Sequence, residues 1–195
     1  MNILPVFNKE ITKEMTKEMI DSLLKDRIIY LCDDITYNTT SLVLSELLYL
    51  DSISNDTIYL YINSLGGSVT GAFAIIDTIQ MLSSPVKTID VGIAASSAAL
   101  VFLSGAKNQR YMLHNALLLL HQPLGKTQGQ ESDIAILAKQ LLKTRNKIEE
   151  FITINSKIAL KDVKKMIERD SYINATQAKK LGLTDKIVRN NLKAN

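Results

Sequence analysis

Thr57-Ile-Tyr-Leu-Tyr-Ile62, then Asn63-Ser-Leu-Gly-Gly-Ser68, then Val69-Thr-Gly-Ala-Phe-Ala-Ile-Ile76 is the passage on which the fold turns. The first run is β-branched and aromatic, as a strand prefers. The paired glycines permit backbone conformations closed to other residues and so mark a tight turn. Val69, Ala72, Phe73 and Ile76 then recur at helical spacing on one face. Strand, turn and helix therefore follow one another without a linker. The same order repeats downstream: Pro85 stops the helix, Val86 to Val91 is strand-like, Gly92 turns, and the small residues from Ala94 open a second apolar helix. Such alternation predicts an α/β fold.

Working outward, Arg27-Ile-Ile-Tyr-Leu31 reads as a strand, preceded by a charged, periodic arm over residues 1–26. Thr39 and Thr40 are suitable N-caps for a helix carrying Val43, Leu44, Leu47, Leu48 and Leu50. Gln109 to Leu113 and Ala116 to Leu120 are expected strands, the second apolar throughout and so expected to be buried on both faces. From Ser132 to Asn155 a long helical pattern appears, with Ile134, Leu137, Leu141, Ile148 and Phe151 as its anchors. Leu160 to Glu168 and Ala175 to Leu181 give two short helices, the second closed by Gly182.

The chain has 195 residues, long enough for one domain with its own core, and its 46% hydrophobic and 22% charged content is that of a globular protein. A net charge of +3 on scattered basic residues offers no concentrated field for phosphates, so nucleic acid is not an expected partner. The single cysteine, Cys32, points to a reducing compartment, and the opening residues do not read as a signal peptide; a cytoplasmic protein is expected. The longest uncharged stretch, Val91 to Ala106, falls short of the roughly 20 residues of a membrane helix. No membrane association is expected. Gly125-Lys-Thr127 lacks the earlier glycine of a phosphate-binding loop, since position 120 is Leu. One Cys and two His at unrelated spacings give no zinc site, so no metal and no cofactor are expected.

Acyl-transfer chemistry needs a nucleophile, a base within hydrogen-bond reach, a group orienting the base, and donors aimed at the oxyanion. Ser96, in Gly92-Ile-Ala-Ala-Ser-Ser-Ala-Ala-Leu100, sits where a strand should hand over to a helix, close to the positive end of a helix dipole. A serine among alanines is more often a packing residue. His121 ends a strand, where sites collect in α/β sheets. Its rival His114 lies in a turn-like Leu113-His-Asn-Ala116. Asp170 follows a short helix and, taken alone, reads as a solvated carboxylate.

Together the motifs are more specific. Tyr59-Leu-Tyr-Ile-Asn-Ser-Leu-Gly-Gly-Ser-Val-Thr70, Gly92-Ile-Ala-Ala-Ser96, Gly105-Ala-Lys-Asn-Gln-Arg-Tyr111, His121-Gln-Pro-Leu-Gly125 and Gln128-Gly-Gln130 stand in the order and spacing of the ClpP proteolytic subunits. Glu168-Arg-Asp170 and Ala178-Lys-Lys-Leu-Gly-Leu-Thr-Asp185 resemble that family too, so the likeness runs from about Leu24 to Val188. The resemblance implies a ClpP/crotonase-like repeated β-β-α spiral over residues 24–195, with a helix-strand handle at about 122–155. It implies Ser96 as nucleophile, His121 as base, Asp170 as the residue orienting the base, and the backbone N–H groups of Gly67 and Ser97 as oxyanion hole. It also implies an extended substrate held by Gly66, Ser68, Val69, Leu124 and Gly125. Gln130, Asp133 and Arg169 fall where the family joins rings, and Tyr59 and Tyr61 where it receives an unfoldase.

The partners so implied are further copies of the chain in two stacked heptameric rings, or a paralogue in a mixed ring. They include an AAA+ unfoldase such as ClpX, ClpC or ClpA, and unfolded protein substrates. The chain departs from the family at Leu65, where proline is usual, and at Ser97 and Ala98, where Met and Gly are usual; the arm from Asn8 to Asp21 also differs. Two other readings stay open: a non-catalytic or weakly active scaffold subunit, and an acyl-CoA hydratase or isomerase of the crotonase type.

Overall fold

A computed structural model describes residues 13–123 and 128–188, with side chains from Glu18 onward. In chain order the elements are α1 (Lys13–Lys25), β1 (Ile28–Leu31), α2 (Tyr37–Ile53), β2 (Ile58–Ser64), α3 (Val69–Met81), β3 (Val86–Ala95) and α4 (Ser97–Leu103). β4 (Arg110–Leu113), β5 (Leu117–Leu120), α5 (Glu131–Ile154), α6 (Leu160–Met166), β6 (Ser171–Asn174), α7 (Ala175–Leu181) and β7 (Lys186–Val188) complete the sequence of elements. The α/β alternation expected from the sequence is present.

Parallel pairing runs β1-β2-β3-β4-β7, and β5 joins β3 off that path and carries β6 antiparallel on its other side. The long strand β3 makes this possible by serving two neighbours in succession. Its first half, Thr88 to Asp90, pairs with β4; its second half, Ile93 to Ala95, pairs with β5. Gly92 lies between them, within the strand rather than at the turn the sequence suggested, and β3 runs on to Ala95 before α4 begins at Ser97. Helices α2, α3 and α4 cover the sheet through Leu47, Phe73, Ile76 and a fully buried α4, from Ser97 to Leu103. Leu60, Ile62, Phe102 and Met112 are wholly excluded from solvent and mark the centre of that core.

Three local expectations are corrected. Helix α2 is capped by Thr36, whose side chain accepts from the Thr39 N–H, so the helix starts at Tyr37 and Thr39 and Thr40 lie inside it. Strand β5 is buried on one face only, with Leu117 exposed. In α5 only the C-terminal end is anchored, by Ile148 and Ile152; Ile134 is exposed at 43%, so the helix stands clear of the core for most of its length. Gly182 closes α7 at φ 72°, as expected.

Candidate active site

The register of the sheet gathers the candidate residues at one end. Ala95 is opposite Leu119 in the parallel β3/β5 pair, so Ser96 and His121 leave the sheet together, and the Ser96 N–H donates to the Leu119 carbonyl at 2.8 Å. In the antiparallel β5/β6 pair Leu120 is opposite Ser171, which brings the next residues out, His121 and Asp170, side by side. Ser64 is opposite Ala94 in the β2/β3 pair, which carries the glycine turn to the same place. Four segments distant in sequence, at the ends of β2, β3, β5 and β6, thus meet through pairing register alone.

Ser96 is a hinge between β3 and α4, with φ 55° and ψ −122°. A side chain at positive φ costs on the order of 1–3 kcal/mol and persists only where the surroundings enforce it. Here they do. The Ser96 hydroxyl does not cap the helix that follows it, so it is not consumed locally. Gly66, at φ 92°, packs against this hinge, where a Cβ would lie 2.5 Å from the Ala95 carbonyl oxygen and 3.0 Å from the Ser97 nitrogen; Gly67, at φ 143°, packs on Ile35, where a Cβ would lie 2.7 Å from the carbonyl oxygen. Only glycine fits such an approach. Ile35 pins the turn from its other side, donating to the Gly66 carbonyl and accepting from the Ser68 N–H, both at 2.8 Å. Among the described residues neither the Gly67 N–H nor the Ser97 N–H finds an acceptor. Two unengaged backbone donors beside a serine are what an oxyanion hole requires. Ser68 caps α3 through its side chain, which accepts from the Gly71 N–H.

His121 and Ser96 line one small cavity with Val69, Ser97, Leu100 and Pro123. Beyond the ring, His121 Nδ1 stands 3.7 Å from Asp170 Oδ1, too far for a hydrogen bond. Among the described residues none joins Ser96 Oγ to His121 either. The Asp170 side chain is 63% exposed, against 20% for His121. His121 thus shares a cavity with Ser96 and stands 3.7 Å from Asp170, with no hydrogen bond joining the three side chains among the described residues. Ser97 Oγ is buried in the cavity wall without a hydrogen-bond partner.

Of the remaining candidates, Gln130 is the N-cap residue of α5 and Asp133 lies in its first turn. Both are exposed, as is Arg169. Tyr59 and Tyr61 are half-buried on β2, and Lys87 Nζ lies 5.0 Å from the Tyr59 ring and 4.9 Å from that of Tyr111. Leu124 and Gly125 lie outside the described residues. His114 occupies the exposed turn expected of it.

Sequence reasoning missed a set of residues behind the histidine. Glu149, almost wholly buried on α5, accepts from Arg145 Nε at 2.8 Å, and Arg145 Nη1 donates to Gln122 Oε1 at 3.2 Å. The signal was present as an Arg and a Glu four residues apart on a helix, a spacing that places them on one face.

The architecture so defined is a parallel-sheet α/β protein with a serine on a strained strand-to-helix hinge, a histidine and a carboxylate at one sheet end, and free backbone donors beside the serine. Among known proteins, residues 11–191 match the family model described as Clp protease. The chain is 44% identical over 193 residues to the ATP-dependent Clp protease proteolytic subunit of Streptococcus mutans serotype c (strain ATCC 700610 / UA159), an alignment covering 97% of this chain and 98% of that protein. The chain belongs to the Clp protease family.

Proposed function

We propose that the chain is a serine endopeptidase subunit of a barrel-shaped Clp protease that degrades unfolded polypeptides delivered by an AAA+ unfoldase. The observation that carries this reading is the meeting of Ser96, His121 and Asp170 at the ends of β3, β5 and β6, against the glycine turn. Ser96 Oγ attacks the peptide carbonyl while His121 takes its proton and returns it to the leaving amine; Asp170 holds the imidazole tautomer and stabilises the imidazolium. The oxyanion is received by the N–H groups of Gly67 and Ser97, each such donor contributing on the order of 100-fold to 1000-fold in rate. Gly66, Ser68 and Val69, with Leu124 and Gly125, pair with an extended substrate main chain, which favours breadth over sequence selectivity.

The assembly proposed is a double ring of identical subunits or a mixed ring with a paralogue, joined through α5, Gln130, Asp133 and Arg169. The Tyr59 and Tyr61 face of β2 receives the unfoldase. Cytoplasmic residence fits the lone Cys32; among the described residues no helix is long and apolar enough to cross a membrane. The 3.7 Å separation of His121 from Asp170 supports a second reading, in which the isolated chain is weakly active and becomes competent in a mixed ring. Hydrolysis of a fluorogenic peptide by the purified chain, alone and after mixing with paralogous subunits, tests both. Activity lost in Ser96→Ala is the expected result; activity retained in that variant contradicts the proposal.

A further inference from the structure

Asp170 lies on an exposed segment, and its carboxylate gap to His121 is too long for a hydrogen bond. What fixes that gap is therefore the backbone on either side. Immediately after the histidine, the Gln122 N–H donates to the Ile167 carbonyl at 2.7 Å. The Gln122 side chain spans two further elements: Nε2 donates to the Glu168 carbonyl at 3.2 Å, and Oε1 accepts from Arg145 Nη1 at 3.2 Å. Arg145 is in turn held by Glu149, whose side chain is 3% exposed and whose second oxygen stands 3.9 Å from Lys164 Nζ on α6. One amide thus ties the residue after His121 to the peptides just before Asp170, and one guanidinium ties that amide to α5.

We propose that Gln122 and Arg145 are positioning residues for the reaction, holding the His121 and Asp170 segments in register against α5 and so setting how readily imidazole and carboxylate engage. This rests on the reading of Ser96, His121 and Asp170 as the reacting set. A buried carboxylate is costly unless paired and hydrogen-bonded, and a hydrogen bond to a charged partner is short and directional. Glu149 therefore fixes the Arg145 fork, and the fork fixes the Gln122 amide. Misplacing a reacting group by about 1 Å costs on the order of 100-fold in rate, so a loosened clamp has a measurable effect without touching substrate. Because α5 is exposed along most of its length, whatever packs on it bears on the same clamp.

The test uses the full chain and the second-order rate constant for phosphonylation of Ser96 by a fluorophosphonate. Arg145→Ala and Gln122→Ala are expected to slow labelling on the order of 10-fold to 100-fold, with Arg145→Lys recovering part of the loss because it keeps the charge but not the fork. In an Asp170→Ala background neither change should slow labelling further, since residues acting through one contact are not additive. Losses that multiply in that background, or variants reacting at the wild-type rate, overturn the positioning role. Wild-type labelling absent, or unchanged in Asp170→Ala, overturns the reading of the site itself and this inference with it. Unchanged circular dichroism and elution volume exclude misfolding. If Arg145→Ala leaves Glu149 unpaired and does not fold, Gln122→Ala, which orphans no buried charge, decides.

Discussion

Ser96 shows how much backbone strain one position carries in this protein. At φ 55° the hinge favours glycine, so Ser96→Gly is expected to be more stable than Ser96→Ala by about 1 kcal/mol, both lacking the nucleophile; equal thermal midpoints would deny the strain. A second residue outside the site behaves unusually. Asp90 on β3 is fully buried, accepts from the Gly92 N–H through Oδ1 and leaves Oδ2 without a partner. Burial pushes its carboxyl up to about 7, with the Gly92 N–H opposing. Because the folded pKa is above the unfolded one near 4, the native state holds the proton more tightly, and stability falls as pH rises from about 4 to about 7, by roughly 4 kcal/mol at most. Asp90→Asn removes that slope. Its denaturation midpoint, relative to wild type, should improve between pH 5 and pH 8; parallel pH profiles would show that Asp90 does not titrate in this range.

Among the elements, Arg110 and Asp185 show what two of the quoted motifs are for. Arg110 opens β4 and binds Asp185 through Nε at 3.0 Å and Nη2 at 2.7 Å, with side-chain exposures of 13% and 16%, locking β4 to the start of β7. Burial pushes the Asp185 carboxyl up, but the hydrogen bonds and charge of Arg110 outweigh it and the net shift is downward. The pair's contribution is thus present above about pH 4 and lost as pH falls through the depressed pKa. Asp185→Ala should cost about 3 kcal/mol at pH 7 and less in acid, checked by urea denaturation at both pH values. Both residues belonged to the sequence pattern, yet their role is structural. The long elements were legible because their periodicity is strong: β2 and α5 lie where the sequence placed them, within a residue or two, α3 starts where expected at Val69, and the short α7 ends where Gly182 marked it. Strands β6 and β7 were not. Ser171-Tyr-Ile-Asn174 and Lys186-Ile-Val188 are too short to show a period, and β6 exists because β5 offers it an edge. That strand sets Asp170 beside His121, so the proposed triad was named from family resemblance and its geometry came only from the fold. Gly92 misled for a related reason: a glycine read as a turn is the point where β3 changes partners.

At the level of the whole molecule, α5 is the feature a lone subunit leaves unexplained. Ile136 and Leu142 are 69% and 61% exposed on a helix whose other end is buried, an arrangement that suits a partner surface. A double heptamer of 21.7 kDa chains would sediment at about 300 kDa, and Ile136→Asp should reduce that to about half by separating the rings. A wild-type chain that stays monomeric at high concentration, alone and with paralogues, would contradict the assembly. The central claim, that Ser96 is an activated nucleophile, has a more direct test in mass spectrometry of the chain after treatment with a fluorophosphonate. The account predicts one adduct on the peptide containing Ser96, lost in His121→Ala while that variant stays folded. An adduct on another residue, or one of equal yield without the histidine, would contradict it.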